Sequence, residues 1–151
     1  MEYYHSIIFT IFLLRKGKSM NALMNATELN NNMNFKIETK DIQKVLLDIG
    51  FPHHVYGFNF ITYALQLIMI DPSILHHVTK ELYPDVAKHF YTTPTRVERA
   101  IRTAIQIVWL YGNLPLIQRI FGNTIRPDKG VPTNSQLLAG LYLYLIELRS
   151  A

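Results

Sequence analysis

PDVAKHFYTTPTRVERAIRTAIQIVW, residues 84–109, holds two helical patterns separated by a three-residue turn. The first, Pro84 to about Phe90, can turn Val86, Ala87 and Phe90 inward, and the small Ala87 permits close approach of a following helix. Tyr91, Thr92 and Thr93 form the turn. Thr93 with Pro94 supplies an N-cap and a first helical residue, while Thr95 with Glu98 also satisfies the capping-box spacing. On a wheel of about 100° per residue, Arg96, Arg99, Arg102, Thr103 and Gln106 share an arc of about 120°, and Val97, Ile101, Ala104, Ile105 and Val108 fill the opposite side. A short helix, a tight turn and a second helix with arginines on its outer face is an arrangement that delivers side chains to the major groove of DNA.

Working outward, IVWLY after Gln106 is apolar all round and predicts a buried far end for this helix. Gly112 stops it, and Asn113 caps a helix whose buried positions are Leu116, Ile117, Ile120 and Phe121, with Gly122 as its stop. Residues 123–132 contain two prolines and a glycine and read as loop. The last helix begins near Thr133, Asn134 or Ser135 and runs through LLAGLYLYLIEL to about Arg149. Its Leu137, Leu138, Leu141, Tyr142, Leu145 and Leu148 make a wide apolar surface, read first as core; dimerisation, with itself or a relative, would use what the core does not.

Upstream, Ile42, Val45, Leu46 and Ile49 have helical spacing over Asp41 to Ile49, with Thr39 or Asp41 as cap and Gly50 as stop. Phe58 to Ile70, with Ile61, Leu65, Ile68 and Met69, is apolar over most of its circumference and suits a central helix. Asp71 and Pro72 open a third helix towards Leu82, and Pro84 predicts a break. The fold class is all-α: a bundle of about six helices containing a helix-turn-helix, of the winged-helix kind without a clear wing.

The chain has 151 residues, 49% of them apolar, enough for a single core. Its net charge is only +4, but Lys88 to Lys129 holds seven basic residues against two acidic ones, so the positive charge is concentrated beside the arginine face. There is no cysteine, which excludes disulfides, thiolate metal sites and cysteine nucleophiles and fits a cytoplasmic location. Residues 1–35 read as an extension and linker of unassigned structure, with Asn30, Asn31, Asn32 and Asn34 close together, ahead of a domain spanning 36–151. The apolar run Ile7 to Leu14 is too short to cross a bilayer, and its positive charges follow it rather than precede it, so no membrane partner or signal is expected.

TKELYPDVAKHF (79–90), TTPTRVERAIR (92–102), Gly112-Asn113, Phe121-Gly122 and PTNS (132–135) together resemble the DNA-binding effector domain of the master sporulation response regulator of endospore-forming bacteria. The resemblance runs from about Asp41 to Leu145 and is densest from Thr79 to Ser135. It implies a six-helix domain that reads a short DNA box, often as tandem dimers, and acts on transcription by touching RNA polymerase. It also implies that the base-reading helix is Thr95 to Gln106, with Arg96, Glu98, Arg99 and Arg102 retained. Thr103 stands where a histidine is expected, Gln106 where a glutamate is, and Val131 where a second loop lysine would stand beside Lys129. The phosphoacceptor receiver that precedes this domain in the family has no counterpart in residues 1–35, so control by phosphorylation is not expected.

Arginine pairs with guanine O6 and N7, and glutamate accepts from cytosine N4, each good contact being worth roughly 1–3 kcal/mol of discrimination. Arg96, Glu98, Arg99 and Arg102, with Thr103 and Gln106, are the candidate base readers. Lys88, His89, Thr92, Thr93 and Lys129 are candidates for phosphate contacts. The plain alternative is a solvated charged face with Glu98 engaged in capping and in i,i+4 pairing to Arg102. His53-His54 and His76-His77 lack the spacing of a metal site, and no nucleophile and base pair or phosphate-binding glycine loop is present. An enzyme, a cofactor and a metal are therefore not expected. The competing function is a protein-interaction module that pairs with a full-length regulator and titrates it without productive DNA binding, a reading motivated by Thr103, Gln106 and Val131.

Overall fold

The computed structural model describes residues 37–122 and 130–150, so the expected extension 1–35 and Lys129 lie outside the described residues. Among these residues there are six α-helices and no strand: α1 Thr39–Ile49, α2 Tyr56–Ile70, α3 Tyr83–His89, α4 Pro94–Tyr111, α5 Leu114–Phe121 and α6 Asn134–Ser150. The expected all-α bundle is thus the observed one. The predicted alternation of apolar positions places Ile42, Val45, Leu46 and Ile49 of α1 in the core, with Leu137, Leu138, Leu141 and Leu145 of α6.

α2 is the central rod and packs against α1, α3, α4 and α6. Its buried residues, among them Phe58, Ile61, Ala64, Leu65 and Ile68, surround the helix, which is why its sequence shows little amphipathic contrast. The crossing with α4 is close. A Cβ placed on Gly57 would lie 2.4 Å from the carbonyl oxygen of Ala100 and 2.7 Å from the Ala104 Cβ, so only glycine fits at this approach. A second close approach joins α1 to the α4–α5 turn. Gly50 ends α1 with φ of 109°, and a Cβ there would sit 2.8 Å from the Gly112 Cα. The Asn113 N–H donates to the Ile49 carbonyl at 2.8 Å, while the Asn113 side chain accepts from the Leu116 N–H and so caps α5.

The segment between α2 and α3 differs from the single helix expected from Pro72 to Leu82. Asp71 does cap a start, its carboxylate accepting from the Ser73 N–H, but the result is a 3₁₀ turn, Pro72–His76, that ends at His77. A π-helical turn, Val78–Leu82, then runs into α3 without interruption, so the chain breaks at His77 and not at Pro84. A proline ring is crowded by the carbonyl four residues before it and has no N–H to give. The wider π turn ahead of Pro84 relieves that crowding and leaves Pro84 in the first turn of α3, where its missing N–H costs nothing.

Other departures are smaller. Glu38, not Thr39 or Asp41, is the N-cap of α1: its backbone N–H donates to the Asp41 carboxylate at 3.0 Å. The Thr39 hydroxyl instead accepts from the Gln66 side chain. Met69, Phe90, Leu116, Ile120 and Tyr142 are half-buried, and Leu148 is exposed. The far end of α4 is not buried all round, because Leu110 is 75% and Tyr111 83% exposed. Only Val108 of that run is fully enclosed, since the bundle covers one side of α4 along its whole length.

The α2–α4 crossing generates a stability test. Gly57→Ala adds one methyl where no space exists and should destabilise the domain by roughly 1–3 kcal/mol in urea unfolding, as overpacked core sites do.

Candidate nucleic-acid interface

The helix-turn-helix is built as its local chemistry dictates. α3 closes with the Thr92 N–H donating to the Ala87 carbonyl at 2.9 Å, a left-handed termination that reverses the chain within Phe90 to Thr93. The Thr93 hydroxyl accepts from the Arg96 N–H at 3.3 Å and Pro94 takes the first helical position, so of the two candidate caps Thr93 is the one used. Val97, Ile101, Ala104, Ile105 and Val108 are buried against the bundle. Their burial fixes the rotation of α4 about its axis and leaves Arg96, Arg99, Arg102, Thr103 and Gln106 exposed together.

Glu98 lies at the margin between these faces and is half-buried. Its carboxylate pairs with the Arg102 guanidinium one turn later, the interaction that the plain alternative anticipates. The same residue is held through its backbone. Asn134, at the start of α6, is buried to 8% exposure and its Nδ2 donates both to the Glu98 carbonyl and to the Tyr83 Oη, each at 3.0 Å. One amide thus ties together α6, the first helix of the helix-turn-helix and the arginine-bearing helix. Burial raises the Tyr83 phenol above its ordinary pKa, so the hydroxyl stays protonated at neutral pH.

This clamp was missed at the level of sequence, where Asn134 figured only as one of three starts for the last helix. The local signal is ambiguous because Thr133 takes the capping work: its hydroxyl accepts from the Gln136 N–H at 3.2 Å. The asparagine is thereby released for a contact 51 residues away in sequence. Next to the clamp, an open cleft separates Thr79, Arg102 and Gln106 from Val131 and Ser135, so the segment before α6 flanks the arginine face.

The phosphate candidates divide. Lys88 and His89 lie in the last turn of α3, and Thr92 and Thr93 lie in the turn at the start of α4, so these four flank the turn of the motif. The fifth, Lys129, is outside the described residues. The His89 ring stacks on Tyr63 with centroids 3.9 Å apart and 13° between planes, and meets Phe90 edge-on. His89 stays largely exposed, and the partial desolvation of its stacked face lowers its pKa below the ordinary imidazole value. The shift favours the neutral imidazole, which can act as an N–H donor.

His53 and His54 are exposed and meet edge to face at 6.0 Å. Among the described residues no three His, Asp or Glu side chains gather as a metal site, and no helix is long and apolar enough to cross a membrane.

A comparison with protein-family models adds one finding. The model described as sporulation initiation factor Spo0A C terminal matches residues 42–145, a span that includes all of the helix-turn-helix and the Asn134 clamp.

Two measurements check this geometry. Asn134→Ala leaves the Tyr83 hydroxyl and the Glu98 carbonyl without their shared donor and should cost about 1–3 kcal/mol in chemical unfolding. In an NMR titration, His89 should protonate at lower pH than histidine in an unfolded peptide. Because its folded pKa is the lowered one, its contribution to stability is present above the ordinary histidine pKa and is lost as pH falls through the folded value.

Proposed function

The chain belongs to the family of sporulation initiation factor Spo0A C-terminal domains, which makes it a DNA-binding domain of a sporulation regulator and places it outside the enzyme families. From that premise we propose that it reads a specific DNA box with the outer face of α4. The observation that carries this reading is the joint exposure of Arg96, Arg99, Arg102, Thr103 and Gln106 on a helix whose other side is fully buried. α4 enters the major groove, Arg96 and Arg99 pair with guanines, and Arg102 and Glu98 exchange their mutual ion pair for base or phosphate contacts. Thr103 and Gln106 bring shorter or neutral groups to the far side of the box and adjust its preference.

Lys88, His89, Thr92 and Thr93 hold the phosphates at the start of α4, and Lys129, ahead of α6 in the sequence, adds a further phosphate contact. Two apolar surfaces lie away from these contacts. Leu143 and Leu148 of α6 remain 60% and 49% exposed and serve pairing of two copies on tandem boxes. Leu110, Tyr111 and Leu114, beyond the reading residues, suit the contact with RNA polymerase that the family resemblance implies. On this reading the protein acts on DNA in the cytoplasm.

Fluorescence anisotropy with a duplex carrying the family's box tests the proposal. Arg99→Ala should weaken binding to the box roughly 5- to 150-fold and leave binding to a scrambled duplex nearly unchanged. Lys88→Ala should instead weaken both duplexes alike and reduce the slope of log K against log salt by about 1. Equal binding of box and scrambled duplex by the parent protein would contradict sequence reading.

A further inference from the structure

The turn of the helix-turn-helix carries a residue that neither the core nor the reading face accounts for. α3 ends in a motif with two hydrogen bonds, Thr92 N–H to the Ala87 carbonyl and Tyr91 N–H to the Lys88 carbonyl, that requires a left-handed residue just past the helix. Glycine, or less often asparagine, occupies that place because a Cβ is disfavoured there. Here it is Tyr91, with φ of 54°, the only non-glycine residue with positive φ among the described residues. Its side chain recovers nothing from the fold, being 97% exposed, the most exposed large apolar side chain in the described structure. An exposed tyrosine alone needs no explanation, and neither does a left-handed turn. A bulky aromatic placed in a conformation that opposes it, and packed on nothing, is a local cost that folding does not offset.

Resting on the proposed reading of DNA by α4, we propose that Tyr91 is a contact to the DNA backbone. It lies in the turn between Lys88 and Thr92–Thr93, ahead of the first turn of α4, where a duplex seated on α4 brings a sugar and its phosphate. The ring packs along the deoxyribose and the phenol O–H donates to a phosphate oxygen. Such a contact is indifferent to base sequence. It also adds no charge, so it releases no counterion. Both properties separate it from the arginines and from Lys88.

The test compares the parent, Tyr91→Asn and Tyr91→Phe in thermal unfolding and in anisotropy titrations on box and scrambled duplexes at several salt concentrations. Tyr91→Asn should raise the melting temperature by a few degrees, because asparagine tolerates the left-handed turn. It should also weaken binding to both duplexes by the same factor, roughly 3- to 10-fold, with the salt slope unchanged. Tyr91→Phe, which keeps the ring and the strained turn, should melt like the parent and bind with an affinity between those of the parent and Tyr91→Asn. A more stable Tyr91→Asn that binds like the parent overturns the proposal and leaves the reading of DNA by α4 intact. A loss confined to the box, or a changed salt slope, overturns it as well. If the parent binds neither duplex, the proposed function fails and this inference fails with it.

Discussion

α2 crosses α4 where there is no room for one methyl group: a Cβ on Gly57 would meet the Ala100 carbonyl oxygen at 2.4 Å. The rest of the domain depends on that approach. Because backbone meets backbone there, the position of α4 along α2 is set by hard contact and not by adjustable side chains. Two further ties complete the fixation. The Gly50–Gly112 contact anchors the far end of α4 to α1, and the Asn134 amide holds the Glu98 carbonyl near its start. An exposed row of arginines is useful for reading bases only if the helix beneath it is held in one place, and three backbone-level restraints do this.

The ion pair between Glu98 and Arg102 could be taken as a competitor for the DNA contacts proposed for both residues. The magnitudes decide otherwise. An exposed i,i+4 pair on a helix is worth about 0.3–0.5 kcal/mol, whereas a bidentate base contact discriminates by roughly 1–3 kcal/mol. The pair therefore orders two side chains in the free protein at small cost and can be exchanged when a duplex arrives. His89 follows a different logic. Stacking on Tyr63 gives it a defined place, and partial burial there disfavours its charge, so the positive edge of the motif rests on Lys88 and the arginines.

What was legible in the sequence was local. Thr93-Pro94 marks the start of α4, and the contrast between Val97, Ile101, Ala104, Ile105 and Val108 and the arginine arc sets its rotation, because burial and exposure there follow a 3.6-residue period. What was not legible depends on contacts distant in sequence or on geometry outside the common helix types. The π turn before Pro84 has no periodic signature, so from sequence the proline reads as a break. The exposure of Leu110 and Tyr111 arises because the bundle covers only one side of α4, which hydropathy alone does not encode. In sequence Asn134 is one helix start among three, because its partners on α3 and α4 lie 51 and 36 residues away along the chain. The candidate reading residues were named from pattern and resemblance, and the fold adds that five of them are exposed together while Glu98 sits at the margin.

The central claim is that the outer face of α4 chooses among DNA sequences. Selection of bound duplexes from a randomised pool at moderate salt, carried out with the parent and with Arg99→Ala, tests it most directly. With α4 as the reader, one short guanine-containing box should be enriched by the parent, with the preference at one position relaxed in the variant. Retention of duplexes with no enriched sequence, or an identical box for both proteins, would contradict it.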